Sequence, residues 1–231
     1  MPPEAPALAW AESVLGRPVT AARGLREGGS PWWLDSDGGS AVLHTGRKPA
    51  DLRTQVAALR AAEEHGVPAP RVLGQGDGLL LTTALPGGSK LTGPAPPGRL
   101  RAMGAALRVL AAVRLDPTDD LPLRHRPIEG EPFTPTALQR AAEALLADLP
   151  EPDGPTVLVH GDLWTGNTMW EGDELTGFID WDCAGVGHVG LDLGSLRCDA
   201  AIAAGLPAAD LVLEGWGEPP PTWPGGTSSR R

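Results

Sequence analysis

The residues that decide the fold are VLVHGDLWTGNTMW, at positions 157–170, and the following FIDWDCA, at positions 178–184. The first stretch begins with an apolar strand, and a hairpin connects it to the second. Asp162 and Asn167 therefore lie on one loop after a strand, and Asp180 ends the strand that follows. We predict that these three polar side chains meet around a single point.

These residue types suit phosphoryl transfer from a nucleotide. Magnesium bound to a nucleotide prefers hard oxygen ligands, usually one or two side chains together with phosphates and water. The amide oxygen of Asn167 and the carboxylate of Asp180 meet that need. A separate carboxylate, Asp162, can orient an acceptor hydroxyl and accept its proton. Asn167 is also the only asparagine of the chain.

Composition limits the other classes of function. The chain has 231 residues, which suits one large domain or two small lobes, and its net charge is −10. The acidic balance argues against a nucleic-acid surface and is compatible with a cationic ligand. Two cysteines without CxxC spacing indicate neither a zinc site nor a disulfide framework. Because no stretch is typical of a signal peptide or a membrane span, we expect a cytoplasmic protein without membrane contact.

The half of the chain before the loop has mixed α and β patterns. Short apolar runs separated by glycine-rich turns predict a strand meander, and the stripe of Leu52, Val56 and Leu59 predicts a helix that ends near Gly66. A Gly-Asp-Gly turn indicates a further hairpin. The predicted strands lie near 19–25, 31–34 and 40–45, the helix at 51–65, and the hairpin at 71–83.

The second half is mainly helical around the loop. Helical periodicity predicts segments at 99–113, from Thr134 onward, at 194–204 and, more weakly, at 208–216. Proline and glycine recur between the halves and at the C-terminus. We therefore predict four parts, which are an N-terminal lobe at 1–85, a hinge or linker at 86–98, a helical lobe with the loop at 99–216, and a disordered tail at 217–231.

The motif HGDxxxxN followed by IDWD resembles the aminoglycoside phosphotransferase family, which includes choline and fructosamine kinases. The matching strings are VLVHGDLWTGNTMW, FIDWDCAGVGH and LDLGSL, with AVLH, QVAAL and GVPAPRVL in the N-terminal half. The resemblance spans roughly Val19 to Leu213. It implies an α+β, protein-kinase-like fold of two lobes, with an antiparallel sheet and one helix in the N-lobe and a mainly helical C-lobe. Compared with that family the C-lobe looks truncated, since the chain becomes proline-rich near Gly217.

The resemblance also implies roles for the residues around the loop. Asp162 would be the catalytic base, and Asn167 and Asp180 would be the magnesium ligands. His160 would brace the loop, and Asp192, in LDLGSL, would support it from a neighbouring helix. Taken alone, Asp162 and Asn167 would also suit an ordinary turn, but their spacing, the flanking strand and the downstream Asp180 agree with the site.

Further roles fall in the N-terminal lobe. Backbone groups at Thr83–Leu85 would face adenine, and the turn with Gly28 and Gly29 would cover the phosphates. The strand position that holds a phosphate-binding lysine in kinase-like folds is His44 here, and the helix position of its glutamate partner is Gln55. A neutral histidine with a glutamine makes a weaker phosphate clamp than lysine with glutamate.

The function predicted on this basis is that of an ATP- and Mg²⁺-dependent kinase. Its acceptor would be a hydroxyl of an aminoglycoside, ketosamine, amino alcohol or similar metabolite. The first alternative is a non-catalytic remnant of the same family, suggested by His44, Gln55 and the short C-terminus. A more distant alternative is a metal-dependent phosphoesterase with His160 and Asp162 as ligands, although such sites need more ligands than this stretch supplies.

Overall fold

The computed structural model describes residues 2–27, 29–46, 52–89, 93–124 and 154–217, together with positions 136, 137, 140, 141 and 144. Within these residues an antiparallel sheet with its helices is followed by a mainly helical part, as the sequence predicts. The elements in chain order are α1 (Ala5–Leu15), β1 (Val19–Arg26), β2 (Gly29–Ser36), β3 (Gly39–Thr45), α2 (Arg53–Glu64), β4 (Val72–Gly76), β5 (Leu79–Thr83), α3 (Pro97–Ala111), β6 (Leu123–Arg124), β7 (Val157–Val159), β8 (Thr168–Glu171), β9 (Glu174–Phe178), β10 (Gly185–Gly187), α4 (Gly190–Ala204) and α5 (Leu206–Trp216).

The N-lobe is built on a five-stranded antiparallel sheet with the strand order β1-β2-β3-β5-β4. The predicted meander and the later hairpin are both present, and they join because β3 pairs with β5. The predicted helix α2 buries Leu52, Val56 and Leu59 and is followed by Gly66 in the left-handed region, at φ +69°. The lobe therefore forms as its apolar periodicity indicates.

A second helix of this lobe, α1, is absent from the sequence prediction. Ala7 and Ala11 are its buried residues, and they pack with Trp32, Leu34 and Leu43 of the sheet. Leu8, Trp10, Val14 and Leu15 of the same helix are partly buried against this cluster. Because apolar residues lie on most sides of the helix, the contrast between faces that a periodicity argument detects is weak. The N-lobe thus has two helices among its described residues, where one was predicted.

The C-lobe is organised around α3, whose predicted stripe is fully inside. Leu100, Met103, Leu107 and Leu110 are each 1–2% exposed. The helix begins at Pro97, inside the segment expected to be a linker. Strands β6 and β10, which were not predicted, form a small sheet with β7, in which the central strand β10 pairs with both β6 and β7. Of the helix predicted from Thr134, the structure describes positions 137, 140, 141 and 144, which are helical. Most of the predicted tail lies outside the described residues.

One continuous core connects α2 to the C-lobe. Trp181 is fully buried, and the short turn that it begins packs against α2. The core therefore holds the segment after β9 against helix α2 of the N-lobe. None of the helices in the described part of the chain is long and apolar enough to cross a membrane.

The contact between α3 and α5 depends on two glycines. A Cβ atom at Gly104 would lie 2.0 Å from the carbonyl oxygen of Val212, and one at Gly215 would lie 1.9 Å from that of Arg101. Since real Cβ atoms do not approach a carbonyl oxygen so closely, the two helices touch through their backbones at this point. Any side chain there would force them apart.

We predict that Gly104→Ala lowers the free energy of unfolding by about 1–3 kcal/mol, because the added methyl overpacks the helix contact. Gly194→Ala is the matched control: it is also helical, and its Cβ would meet nothing within 4 Å. That control should be neutral or more stable, by up to about 1 kcal/mol, because alanine favours the helix. Urea unfolding of the two variants measures the difference, and equal stabilities would contradict the proposed contact.

Candidate active site

The loop after β7 is anchored by a buried carboxylate. Asp192, in the first turn of α4, is 2% exposed and accepts two backbone N–H groups, from His160 to Oδ2 at 2.7 Å and from Gly161 to Oδ1 at 2.9 Å. Burial raises the pKa of Asp192 to about 6, although both hydrogen bonds favour its ionised form. The carboxylate thus fixes the direction in which the chain enters the loop.

His160 ties the same loop to the strand that carries Asp180. Its ring is fully buried, and Nε2 lies 2.8 Å from the carbonyl oxygen of Ile179. Because a carbonyl only accepts, Nε2 carries the proton. Nδ1 has no hydrogen-bond partner, and the ring lies 4.8 Å from that of Trp181. Burial lowers the pKa of His160 to about 4, so the imidazole is neutral and acts as a brace.

Asp162 and Asn167 meet inside the loop. The Asn167 side-chain amide donates to the backbone oxygen of Asp162 at 2.8 Å and to its Oδ2 at 3.2 Å. These bonds direct the amide nitrogen of Asn167 towards Asp162, and none of the described residues donates to the amide oxygen. The oxygen of a residue that is only 5% exposed is therefore left free to bind a ligand.

Asp180 is held beside this pair by the residues around it. Its backbone is in the left-handed region at φ 69°, which costs a non-glycine residue about 1 kcal/mol or more. The preceding Ile179 donates its N–H to the Asn167 carbonyl at 2.9 Å, and the following Trp181 is anchored in the core. Neighbours on both sides thus fix the strained backbone, as is common at functional sites.

Among the described side chains of the site, negative charges outnumber positive ones. Desolvation raises the pKa of Asp162, the Asn167 hydrogen bond lowers it, and the nearby carboxylates of Asp180 and Asp182 raise it further. Asp180 forms an ion pair with Arg26 from the N-lobe. Two carboxylates and one amide oxygen around one point match the hard ligands that Mg²⁺ prefers. The donor set of Asn167 and Asp180 therefore fits the predicted cation.

His44 lies on β3, opposite Leu80, where sequence comparison placed a phosphate contact. Desolvation lowers its pKa to about 4, the Asp180 carboxylate opposes this, and the Arg26 guanidinium adds to it. The side chain is therefore neutral at pH 7. Gln55 is buried on α2, and no hydrogen bond joins these two described residues. The position carries no ion pair of the lysine–glutamate kind.

The other residues predicted to contact the nucleotide differ in their backbone conformation and hydrogen bonding. Gly29 starts β2 at φ +123°, and a Cβ there would lie 2.8 Å from the ring of Trp32, so the turn needs glycine. Gly28 lies outside the described residues. The Thr83 N–H is already bonded to the Arg71 carbonyl at 2.9 Å. Leu85 has no such backbone bond to a described residue, which makes it the more available of the two hinge positions.

Two residues of the site were missed by the sequence analysis. Arg26 contacts Asp180 across 154 positions of sequence, which no local pattern indicates. Asp199, on α4, accepts the N–H of Thr165 at 3.0 Å and so holds the far side of the loop. It lies seven residues after Asp192 on the same helix, and that spacing of two turns is a feature that could have identified it.

The sequence profile of the phosphotransferase enzyme family matches residues 21–226. The chain belongs to this family. No curated protein matches the sequence significantly. The family assignment inferred from HGDxxxxN and IDWD is thus confirmed.

Solved structures of phosphotransferases share the fold. The macrolide 2′-phosphotransferase MphH from Brachybacterium faecium is 22% identical, with a TM-score of 0.66 over 93% of this chain and 84% of that one. The aminoglycoside phosphotransferase APH(3″)-Id from Streptomyces rimosus is 21% identical, with a TM-score of 0.61 over 86% and 87%. APH(2″)-IIa, in a ternary complex with streptomycin and ATP, is 15% identical, with a TM-score of 0.66 over 94% and 82%. The predicted protein-kinase-like fold of this phosphotransferase is confirmed.

The buried carboxyl group of Asp192 predicts that the stability of the protein depends on pH. The pKa of Asp192 is raised from 3.8 to about 6 in the folded protein, so the folded state binds this proton more tightly than the unfolded chain does. The contribution of Asp192 to stability is therefore fully present below pH 3.8 and is lost as the pH rises to about 6. We expect that loss to be up to about 3 kcal/mol.

Asp192→Asn should lack this part of the pH dependence, while Asp210→Asn, which changes an exposed carboxyl of α5, should keep it. Urea unfolding at several pH values between about 4 and 7 measures both variants against the wild type. A constant difference between Asp192→Asn and the wild type over that range would show that Asp192 does not titrate there.

Proposed function

We propose that the chain is an ATP-dependent kinase that transfers the γ-phosphate to a hydroxyl group of a small molecule. The observation that carries the proposal is the arrangement of Asp162, Asn167 and Asp180 on a loop braced by His160 and Asp192. Membership of the phosphotransferase enzyme family supports the reaction class. In this proposal residues 1–85 bind the nucleotide, 86–98 link the lobes, and 99–216 carry the catalytic loop.

The register of the N-lobe sheet suits an extended nucleotide. Thr83 lies in one row across the sheet with Ala41, Leu34 and Ala22. Arg26 follows Ala22 by four residues along β1, which is about 13 Å at the usual rise of a strand. Adenine at the backbone of Leu85 would therefore leave the phosphates near the turn before Gly29. That end of the sheet is the one that reaches Asp180.

Asn167 and Asp180 would hold the magnesium ion. The free amide oxygen and the carboxylate supply two side-chain ligands, and the phosphates and water would complete the coordination. When bound, Mg²⁺ neutralises charge that develops on the phosphates. The protein's own part is to keep both oxygens fixed through the Asn167–Asp162 bonds and the anchored backbone of Asp180.

Asp162 would orient the acceptor hydroxyl and take its proton. Its carboxylate is half-buried, and the Asn167 amide fixes one of its oxygens at 3.2 Å. Its pKa is raised by desolvation, which makes the carboxylate a better base than one in water. The acceptor would be an aminoglycoside, ketosamine, amino alcohol or similar metabolite, and the net charge of −10 favours a cationic one.

The direct test is Asp162→Ala, which should reduce phosphoryl transfer by about 100-fold or more because the base is lost. Affinity for Mg·ADP should change little, since the shorter Asn167 hydrogen bond goes to the backbone oxygen of residue 162 and remains in the variant. The measurements are a transfer screen with aminoglycosides, ketosamines and amino alcohols, and ADP titration by calorimetry. Asp210→Asn on the exposed face of α5 is the control for an altered charge. Wild-type transfer by Asp162→Ala would rule out this residue as the base.

A non-catalytic remnant of the family is the second candidate, and the neutral His44 favours it. Without a cation on β3, ATP affinity depends on other groups. Millimolar or undetectable binding of Mg·ATP by the wild type would support the remnant and would contradict the kinase. A metal-dependent phosphoesterase is less favoured, because the described residues contain no group of three or more His, Cys, Asp or Glu side chains that could hold a metal ion.

We predict that His44→Lys combined with Gln55→Glu tightens ATP binding by about 10-fold or more, because a charge-assisted hydrogen bond to phosphate replaces a neutral contact. Gln55→Glu alone should not tighten binding, since it adds a buried carboxylate without a cationic partner. ATP titration by calorimetry compares the three proteins. An unchanged affinity of the double variant would show that β3 does not face the phosphates.

A further inference from the structure

Arg26 occupies the position where the N-lobe sheet meets the catalytic loop. It is the last residue of β1 and lies opposite Gly29, the first residue of β2. Its guanidinium forms an ion pair with the Oδ2 atom of Asp180. The Arg26 side chain is 60% exposed, and that of Asp180 is 25% exposed. The contact therefore bridges the N-lobe sheet and the segment that follows β9.

This ion pair uses a carboxylate that the proposed cation also needs. Asp180 lies near Asp162 and Asp182, whose pKa values its carboxylate helps to raise. The Arg26 guanidinium offsets part of this negative charge in the free protein. A divalent cation at Asp180 would do the same, so the guanidinium and the cation compete for one oxygen. An exposed ion pair of this kind contributes little to stability, which makes it easy to exchange.

A guanidinium released from Asp180 would be well placed for phosphate. Its planar array of donors matches phosphate oxygens in a bidentate geometry, and it stays charged at every pH of interest. His44, the neighbouring basic side chain on β3, is neutral at pH 7. Of these two described basic side chains, Arg26 therefore carries the positive charge at the point where the sheet register puts the phosphates.

We propose that Arg26 binds the nucleotide phosphates and pairs with Asp180 only while the nucleotide and its cation are absent. The inference rests on the proposed kinase function and adds to it a phosphate-binding residue. Binding of the cation to Asp180 frees Arg26, and the phosphates then accept its hydrogen bonds.

If Arg26 exchanges between Asp180 and the phosphates, Arg26→Gln should weaken the binding of ADP and strengthen the binding of Mn²⁺. ADP measured at saturating Mg²⁺ should bind about 10-fold or more weakly, because the cation has freed Arg26 and its charge-assisted contact to phosphate is lost. Mn²⁺ measured alone should bind about 2- to 5-fold more tightly, because its competitor for Asp180 is removed. Calorimetry gives the first affinity, and water-proton relaxation gives the second. A residue with a purely structural role would weaken both ligands together.

Arg23→Gln is the matched control, since Arg23 lies on the same strand and its guanidinium stacks on the Trp33 ring at 4.8 Å from the centroid. It removes the same charge and should leave both affinities unchanged. Arg26→Lys should keep part of the ADP affinity. Urea unfolding midpoints of all variants should match the wild type, because both arginines lie on the surface.

The outcomes distinguish a failure of the proposed Arg26 exchange from a failure of the proposed kinase function. If wild-type protein binds ADP, but Arg26→Gln binds ADP or Mn²⁺ as the wild type does, the exchange is wrong and the kinase proposal stands. If Arg23→Gln and Arg26→Gln lose the same ADP affinity, the effect comes from the net charge of the protein. That result would also overturn the proposed exchange. If the wild type binds no ADP with or without Mg²⁺, the kinase proposal itself fails, and this inference fails with it.

Discussion

The two hydrogen bonds from the N–H groups of His160 and Gly161 to the Asp192 carboxylate support the rest of the site. Gly161 can enter the loop only at φ +82°, with its Cα facing the carbonyl of Cys183 so closely that a Cβ would lie 2.0 Å from that oxygen. The carboxylate holds the backbone in this unusual path. Asp162 follows directly, so its direction is set by an interaction one residue earlier.

A series of hydrogen bonds then positions the other residues of the site, one after another. Asn167 bonds back to Asp162, and the Asn167 carbonyl accepts the N–H of Ile179. Ile179 also accepts the His160 Nε2 proton and immediately precedes Asp180. Each side chain of the loop is therefore positioned by a neighbour that is itself fixed. This explains how a non-glycine residue such as Asp180 can be kept in a left-handed conformation.

The arrangement of the loop after β7 could be predicted from the sequence because its geometry is local. Asp162 and Asn167 are five residues apart on one loop, and a single hairpin brings Asp180 back to them. Helix α3 was predictable for a similar reason, since large apolar residues mark its buried face. Helix α1 was not, because apolar residues lie on most of its sides and leave no clear periodicity. The Arg26 contact was also beyond sequence patterns, since it depends on how two lobes meet.

The N-lobe is attached to the hairpin β8–β9 at two places near β4 and β5. The Pro68 carbonyl accepts the N–H of Phe178 at 2.9 Å, and Gly88 exchanges backbone hydrogen bonds with Trp170 at 2.9 and 3.0 Å. A rigid-body rotation that keeps both tethers has its axis close to them. Strand β1 lies at the opposite edge of the sheet, about 19 Å away at the usual strand spacing. A rotation of about 10° would move that edge by roughly 3 Å, so Arg26 lies on the part of the N-lobe sheet that moves furthest in a rotation about these hydrogen bonds.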